Sequence, residues 1–238
     1  MLQMIKDLPK LDAPKKIRIK FSKGGELIYI SHLDLVRTMT RAIVRSRIPV
    51  KYTEGYNPIP KLTFATPLSV GCASECEYLD IKIDREMTCE QIKNSLSAQL
   101  PPCMSVVDVY EPQTKFTEAL YSTYSIRIFD PSLSVGCDYI ANSAFDLPEI
   151  VVLKRSKSGD KLTDIKPLIK KIDAKFVDNM LNIDCMLCVS SAEYLNPEYI
   201  VNIVYENLGL SKDNYSQGSG YEIIRRDLFA ADMITRFK

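Results

Sequence analysis

The sequence predicts an α+β fold made of two consecutive units, and three observations in the first half carry that prediction. Residues 16–22 alternate between apolar and polar side chains, which is the period of a half-buried strand. The apolar positions of residues 33–44 instead recur at helical spacing, after Ser31 and before Pro49. Further strands are predicted over residues 62–66, 77–83 and 104–110, with a helix over 88–99. The resulting order, βαββαβ, is the ferredoxin-like arrangement with an antiparallel sheet.

The second half of the chain follows the same order with weaker signals. Strands are predicted over residues 121–129, 150–155, 180–189 and 222–228, and helices over 133–142, 165–172 and 197–207. We therefore expect two tandem ferredoxin-like units. The predicted division is an N-terminal extension over residues 1–14, a first unit with a basic face over 15–112, and a second unit over 113–238. No residue-by-residue repeat indicates a duplication.

The composition is that of a globular protein without a membrane span. The chain has 238 residues, and 46% of them are hydrophobic, which is enough for a core. No apolar run approaches the roughly 18 to 20 residues of a span, and the first residues lack the apolar block of a signal peptide. Seven cysteines, an odd number, do not indicate the paired framework of a secreted domain. We expect a cytoplasmic protein with reduced cysteines and no membrane partner.

Positive charge is concentrated near the start of the chain. Residues 15–61 contain eleven Lys or Arg against three Asp or Glu, a net charge of +8. Because the whole chain carries +1, the remainder carries −7. This asymmetry favours a polyanion as the ligand of the first unit, although a merely solvated basic face is the alternative interpretation.

Three arginines of the first predicted helix recur every fourth residue: Arg37, Arg41 and Arg45. They form one stripe about 80° wide on the side opposite the apolar positions. The following loop adds cations, aromatic rings and an amide, namely Lys51, Tyr52, Tyr56, Asn57 and Lys61. Single-stranded RNA needs this mixture for charge neutralisation and base stacking. An acidic patch on a partner protein fits the same residues, and the sequence leaves both ligands open.

The loop over residues 54–61 has a composition that restricts its shape. Gly55 permits an unusual backbone angle, and Pro58 and Pro60 fix their own. We expect the loop to present its side chains accurately, or else simply to connect a helix and a strand. No phosphate-binding or dinucleotide-binding glycine motif accompanies it, so no nucleotide cofactor is predicted.

His32 is the only histidine, and it stands close to Ser31 and Asp34. On a helical wheel it lies on the apolar side with Asp34 nearly opposite, so a Ser-His-Asp triad is geometrically poor. We expect a buried, hydrogen-bonded histidine that anchors the loop, with a ligand-contacting or catalytic role as the alternative. The candidate catalytic residues for that alternative are His32, Glu54 and Tyr56.

Two pairs of cysteines were considered as cluster or metal ligands. Cys72 and Cys76 begin the C-x3-C-x2-C pattern that holds a [4Fe-4S] cluster, but Leu79 occupies the third position. We interpret both as packed residues in a turn before a strand. Cys185 and Cys188 lie within a predicted strand, where alternation points their thiols to opposite sides. The sequence therefore predicts no metal site and no cofactor.

Three segments together resemble a bacterial family of radical S-adenosylmethionine (SAM)-associated proteins, also called radical SAM-linked proteins. They are SHLDL at residues 31–35, YTEGYNPIPK at 52–61 and EYLD at 77–80. The resemblance spans the chain from about residue 15 onward. It implies a domain of unknown function that is fused to, or encoded beside, a radical SAM enzyme, often near genes for ribonuclease and ribosomal proteins. Ile59 stands where the family loop usually has a second histidine, so a two-histidine site is not available.

A radical SAM enzyme is therefore the partner that the resemblance implies. With the basic face, it leads us to expect a non-catalytic accessory protein that binds RNA or an RNA- or ribosome-associated partner. One alternative is an RNA-processing or RNA-modifying enzyme, because tandem ferredoxin-like units are similar to those of CRISPR repeat-processing endoribonucleases. The other alternative is a purely structural subunit.

Overall fold

A computed structural model describes residues 8–154, 159–211 and 219–238, and the chain divides into two compact units. Unit 1 comprises Met1–Phe116 together with Lys238, and unit 2 comprises Thr117–Phe237. The predicted boundary after residue 112 lies four residues before the boundary in the structure, which follows Phe116. The fold is a mixed α+β fold, and its strands are mostly antiparallel.

The described part of unit 1 has four strands and two α-helices in the order strand, helix, strand, strand, helix, strand. The strands are β1 (Lys10–Lys23), β2 (Thr63–Phe64), β3 (Cys72–Arg85) and β4 (Met104–Tyr110), and the helices are α1 (His32–Ser46) and α2 (Cys89–Ser97). Strand β1 begins before residue 15 and so includes the last residues of the predicted N-terminal extension. The bounds of β4 are the predicted ones.

The strands of unit 1 follow the order β4-β1-β3-β2, and each neighbouring pair is antiparallel. Alternation along β1 directs Ile17, Ile19 and Phe21 into a core, while Arg18 and Lys20 have the opposite parity. The core is completed by one side of each helix, including Met39 and Ile43 of α1 and Ile92 and Leu96 of α2. Both helices therefore cover the same face of this sheet.

Each helix of unit 1 begins at a side-chain cap. Ser31 Oγ accepts a hydrogen bond from the backbone N–H of Asp34 (3.2 Å) at the start of α1. At α2, Thr88 Oγ1 accepts from the N–H of Gln91 (3.1 Å), and Gln91 Oε1 accepts from the N–H of Thr88 (2.9 Å). Helix α1 ends at Arg47, which adopts a left-handed backbone conformation (φ 56°).

The described part of unit 2 has six strands and two α-helices. The strands are β5 (Tyr121–Phe129), β6 (Val151–Lys154), β7 (Lys161–Asp164), β8 (Ile169–Val177), β9 (Met180–Cys188) and β10 (Gly220–Phe229), and the helices are α3 (Cys137–Ser143) and α4 (Glu198–Asn207). Four of these strands form an antiparallel sheet in the order β10-β5-β9-β8. Strands β6 and β7 pair separately as a hairpin.

The prediction for the middle of unit 2 is partly wrong. The helix expected over residues 165–172 is only a short 3-10 turn at Lys166–Leu168, and β8 follows it directly. Strand β7 was not predicted, and α3 begins four residues later than expected. Strand β6 ends at Lys154, and the predicted residue 155 lies outside the described residues. Among the described helices, none has the length and apolarity needed to cross a membrane.

Candidate binding surface

The loop after α1 projects from the edge of the unit 1 sheet. Val50 pairs with Ile83, and the N–H of Lys51 donates to the carbonyl of Lys82 (2.6 Å), so the chain first follows the edge of β3. It rejoins the same edge at Thr63, opposite Asp80. Residues 51–61, named the finger below, form an excursion between these two points. The second strand of the unit is thus interrupted by a protruding hairpin.

Hydrogen bonds across its base hold the finger in one shape. The N–H of Thr53 donates to the carbonyl of Ile59 (2.8 Å), and the N–H of Ile59 donates to Thr53 Oγ1 (3.1 Å). The N–H of Lys61 donates to the carbonyl of Lys51 (2.9 Å). At the tip, Gly55 has a φ of 142°, a conformation that favours glycine over residues with a side chain.

The finger exposes most of the side chains that the sequence singled out. The side chain of Tyr56 is fully accessible to solvent, and that of Tyr52 is 42% exposed. Lys51, Asn57 and Lys61 are exposed as well. The hairpin therefore presents an aromatic ring and two ammonium groups on a backbone that is fixed at its base.

The three arginines of α1 are exposed, but their guanidinium groups differ in their contacts. Arg37 Nη1 donates to Asp34 Oδ1 (3.1 Å), and Arg45 Nη2 donates to the carbonyl of Gln99 (3.0 Å), just beyond the end of α2. For Arg41, the described residues supply neither a hydrogen bond nor an ion pair. Arg41 is therefore the one member of this trio whose cation is free for a ligand.

The arginines of α1 and the finger, which the sequence predicts to form one basic surface, are not joined by direct contacts among the described residues. Within the described ranges, no hydrogen bond, ion pair or ring contact joins Arg37, Arg41 or Arg45 to the finger. The contact of Arg45 with Gln99 directs the end of the stripe toward α2, whereas the finger leaves from the β3 edge. The two groups of cations are positioned by different elements.

The environment predicted for His32 is wrong, because this side chain is exposed and not buried. Its ring meets that of Phe64 edge-on, with centroids 5.4 Å apart and planes at 81°. His32 is the first residue of α1, and helical side chains tilt toward the N-terminus, so it lies beyond the core. Phe64 belongs to β2, which follows the finger in the sequence. The contact of His32 is therefore with this strand and not with the finger.

The candidate catalytic residues are not joined to one another. No hydrogen bond among the described residues links His32, Glu54 and Tyr56. Ser31 Oγ instead donates to Asp34 Oδ2 (2.7 Å). This hydrogen bond, followed by that from Arg37, holds the pKa of Asp34 below its usual value. The polar groups around the start of α1 thus form a helix cap and an ion pair.

The four cysteines considered as ligands are all buried. Cys72 and Cys76 belong to β3 itself, so their predicted placement in a turn before the strand is wrong. Cys185 and Cys188 lie on β9 as expected, and burial raises the pKa of Cys185 to about 12. No group of three or more metal-ligating side chains occurs in the part of the chain that the structure describes.

A buried arginine in unit 1 was missed by the sequence analysis. Arg18 donates from Nε to Asp80 Oδ1 (2.7 Å) and from Nη2 to Asp80 Oδ2 (2.9 Å). Its Nη1 donates to Thr114 Oγ1 (3.0 Å), and its guanidinium lies 4.4 Å from the ring centroid of Phe116. The alternation along β1 predicts that Arg18 faces solvent. The residues that cover it, including Thr114 at a separation of 96 positions, are too distant in sequence for this local pattern to reveal. This residue joins the end of unit 1 to its sheet.

The fold and these surfaces define a mixed α+β protein with an exposed basic hairpin. The chain belongs to a bacterial family described as "Uncharacterized protein conserved in bacteria (DUF2344)", whose sequence profile matches residues 16–197. That description includes no radical SAM enzyme, so the expected partnership stays a prediction. A search of the curated proteins finds no match.

Several solved structures contain chains that are similar to this one. One belongs to a Cbf5-Nop10-Gar1 complex, with 11% identity, a TM-score of 0.48 and 91% of this chain covered. The present chain spans 50% of the length of that one. An unknown protein from Galdieria sulphuraria has 7% identity and a TM-score of 0.25, covering 90% of this chain and 99% of its own. A DypB variant from Rhodococcus jostii in complex with heme has 12% identity and a TM-score of 0.19, covering 93% and 96%. At these scores, none of them indicates a function.

Proposed function

We propose that this protein is a non-catalytic accessory protein of a radical SAM enzyme and that it binds single-stranded RNA through the finger. The observation that carries the RNA proposal is the exposure of Tyr56 at the tip of a hairpin whose base is fixed by hydrogen bonds. An exposed aromatic ring on a rigid support loses little conformational entropy when a base stacks on it.

The charges of the finger support the same ligand. Lys51 and Lys61 stand side by side at the base, since the N–H of Lys61 donates to the carbonyl of Lys51. Neither ammonium group has a hydrogen bond or ion pair among the described residues, so both are available to phosphates. Asn57 beside the tip adds an amide for the edge of a base. RNA recognition by stacking requires unpaired bases, which favours single-stranded RNA over a duplex.

The accessory role is supported by where the family-like segments lie. SHLDL at residues 31–35 begins α1, and YTEGYNPIPK at 52–61 is the finger. Two of the three segments that resemble radical SAM-associated proteins therefore lie mainly at exposed positions of unit 1, whereas the third, EYLD at 77–80, is buried in β3. All seven cysteines are thiols, as is usual in a reducing compartment, so we propose a cytoplasmic location.

We further propose that both units are ferredoxin-like. In chain order, the four main strands of unit 1 are β1, β2, β3 and β4, and those of unit 2 are β5, β8, β9 and β10. The observed orders β4-β1-β3-β2 and β10-β5-β9-β8 are then the same order, fourth-first-third-second. Antiparallel pairing and helices after the first and third strands also fit a split βαβ arrangement. The β6–β7 hairpin is an insertion in the second unit.

The RNA proposal is tested by measuring binding of a labelled single-stranded RNA of about 12 nucleotides by fluorescence anisotropy. Replacing Tyr56 by Ala removes the stacking ring and is expected to weaken binding by about 1–3 kcal/mol. The matched control Tyr56→Phe keeps the ring and should bind nearly as well as the wild type. Equal affinity of the wild type and Tyr56→Ala would show that the finger does not stack a base.

The non-catalytic role and the partner need a separate experiment. The tagged protein is purified from its native cells, and the bound RNA and the bound proteins are identified. A radical SAM enzyme that is retained by the wild type supports the accessory role. If the purified protein alone cleaves or modifies RNA, and His32→Ala abolishes that reaction, the role is catalytic and the proposal is wrong.

A further inference from the structure

Helix α1 carries a second row of residues that lies outside the core of unit 1, exposed at three positions and half-buried at Thr40. Leu33, Arg37, Thr40 and Val44 are separated by four, three and four residues. These positions fall within about 60° of the helix circumference, which is the spacing of a coiled-coil seam. We name this row the outer seam. Its centre lies about 130° around the helix from the centre of the side that enters the core, which contains Leu35, Met39 and Ile43.

Apolar side chains stand at both ends of the outer seam. Leu33 is 56% exposed and Val44 is 50% exposed. They are about 16 Å apart along the helix axis, a distance of three helical turns. Both residues belong to the apolar pattern that predicts the helix, yet both are exposed in the structure. An exposed seam with an apolar residue at each end fits the side of another helix.

The charges along the outer seam select the kind of helix that fits. Arg37 lies between the two apolar residues, and Arg41 lies beside it on the adjacent strip of the helix surface. Arg41 is exposed and has no ion pair or hydrogen bond among the described residues. Carboxylates on a facing helix would pair with both guanidinium groups, as charged residues do beside coiled-coil seams.

We propose that the outer seam of α1 docks an acidic amphipathic helix of a partner protein. Such a helix covers Leu33 and Val44 with apolar side chains and places Glu or Asp against Arg37 and Arg41. RNA fits this face less well, because its phosphates and riboses offer nothing apolar to Leu33 and Val44. This inference deepens the proposed accessory role and rests on it for the existence of a protein partner.

The experiment uses the full chain and two synthetic helical peptides as probes. The first peptide has about three heptads, with Leu at its a and d positions and Glu at its e and g positions. The second is identical except that each Glu is replaced by Lys. Binding is measured by fluorescence anisotropy of the labelled peptide. We expect the acidic peptide to bind and the basic peptide not to bind.

Variants of α1 locate the binding site. Leu33→Gln and Val44→Gln remove an apolar contact without changing the charge, and each should weaken binding of the acidic peptide about tenfold. Arg41→Glu should weaken it at least as much. The matched control is Val135→Gln in unit 2, since Val135 is 93% exposed and lies far along the chain from α1. A urea unfolding curve for each variant separates loss of binding from loss of folding.

Three results would overturn the proposal. The acidic peptide fails to bind the folded wild type, or both peptides bind equally, or Leu33→Gln and Val135→Gln have the same effect. If the α1 variants weaken binding of the RNA probe and not of the peptide, the face belongs to RNA and the proposal is also wrong. The finger variant Tyr56→Ala should leave peptide binding unchanged. The proposal for the finger and the proposal for the outer seam are therefore tested independently.

Discussion

Arg18 and Arg41 count equally toward the positive charge of unit 1, yet they have opposite environments. The side chain of Arg18 is fully buried on β1, where it is paired with Asp80 and stacked on Phe116. Arg41 is exposed on α1 and has no ionic partner among the described residues. The difference shows that a count of basic residues overstates the charge offered to a ligand. An exposed cation such as that of Arg41 is available to a ligand, whereas the buried cation of Arg18 is held by contacts within unit 1.

Removing the partner of the buried arginine should give the largest effect. Asp80→Ala leaves the guanidinium of Arg18 buried without its carboxylate, which typically costs about 3–5 kcal/mol. Urea unfolding monitored by circular dichroism measures this loss. Lys16 also pairs with Asp80 (2.7 Å), but its side chain is partly exposed and can turn to water.

A double variant sharpens the same comparison. Replacing both residues, in Arg18→Met with Asp80→Leu, leaves no unpaired charge and should restore much of the lost stability. If Asp80→Ala alone unfolds at the same urea concentration as the wild type, the pairing of Arg18 with Asp80 does not affect stability. The contrast between Arg18 and Arg41 would then be wrong.

The two sides of α1 give the next largest effect. Met39 is completely buried in the core of unit 1, and Met39→Ala should cost about 3 kcal/mol through lost contacts and the cavity left behind. Arg41→Ala on the opposite side should change stability by less than about 0.5 kcal/mol. The same urea measurement compares the two variants. A large loss for Arg41→Ala would mean that this residue has a structural role.

Helix α1 also shows how far the sequence alone can lead. Its start was predicted from Ser31 and Asp34, and its length from the apolar spacing, and both predictions are confirmed. The burial of individual residues was not predictable, because the apolar residues of α1 cover more of its circumference than one core can bury. Leu33 and Val44 lie at the margin of that set and stay exposed.

The errors in unit 2 have a related cause. Ile165, Ile169 and Ile172 have the spacing of a helix, yet Pro167 lies within a 3-10 turn that ends at Leu168, and β8 begins at Ile169. Strand β8 lies at one edge of its sheet, so its lysines weaken the alternation that identifies a strand. By contrast, the bounds of β5, which pairs on both sides, were predicted residue for residue.

The candidate site was predictable in its residues but not in its geometry. The finger residues Tyr56 and Lys61 are exposed, as a binding role requires. No contact among the described residues joins them to the arginines of α1, and Arg45 instead contacts Gln99, a residue 54 positions away. Local patterns contain no information on such long-range contacts.

The caps of the two helices should give a smaller effect. Thr88 exchanges two hydrogen bonds with Gln91 at the start of α2, so Thr88→Ala should cost about 1 kcal/mol. Thr88→Ser keeps the hydroxyl and is the matched control for urea unfolding. A loss of equal size in both variants would indicate that the methyl group matters, and not the cap.

The smallest predicted effect concerns the ionisation of Asp34. The carboxylate of this residue accepts a hydrogen bond from Arg37. The hydrogen bond from Ser31, followed by that from Arg37, lowers the pKa of Asp34, so its carboxylate persists to a more acidic pH than an ordinary aspartate. The favourable contribution is present above the unfolded pKa of about 3.9 and is lost as the pH falls through the lower folded value. A carboxyl titration by NMR should show this lowered pKa in the wild type, and Ser31→Ala should raise it. An Asp34 that titrates normally in the wild type would mean that Arg37 is as free as Arg41, and the outer seam would then offer two unpaired guanidinium groups to its ligand.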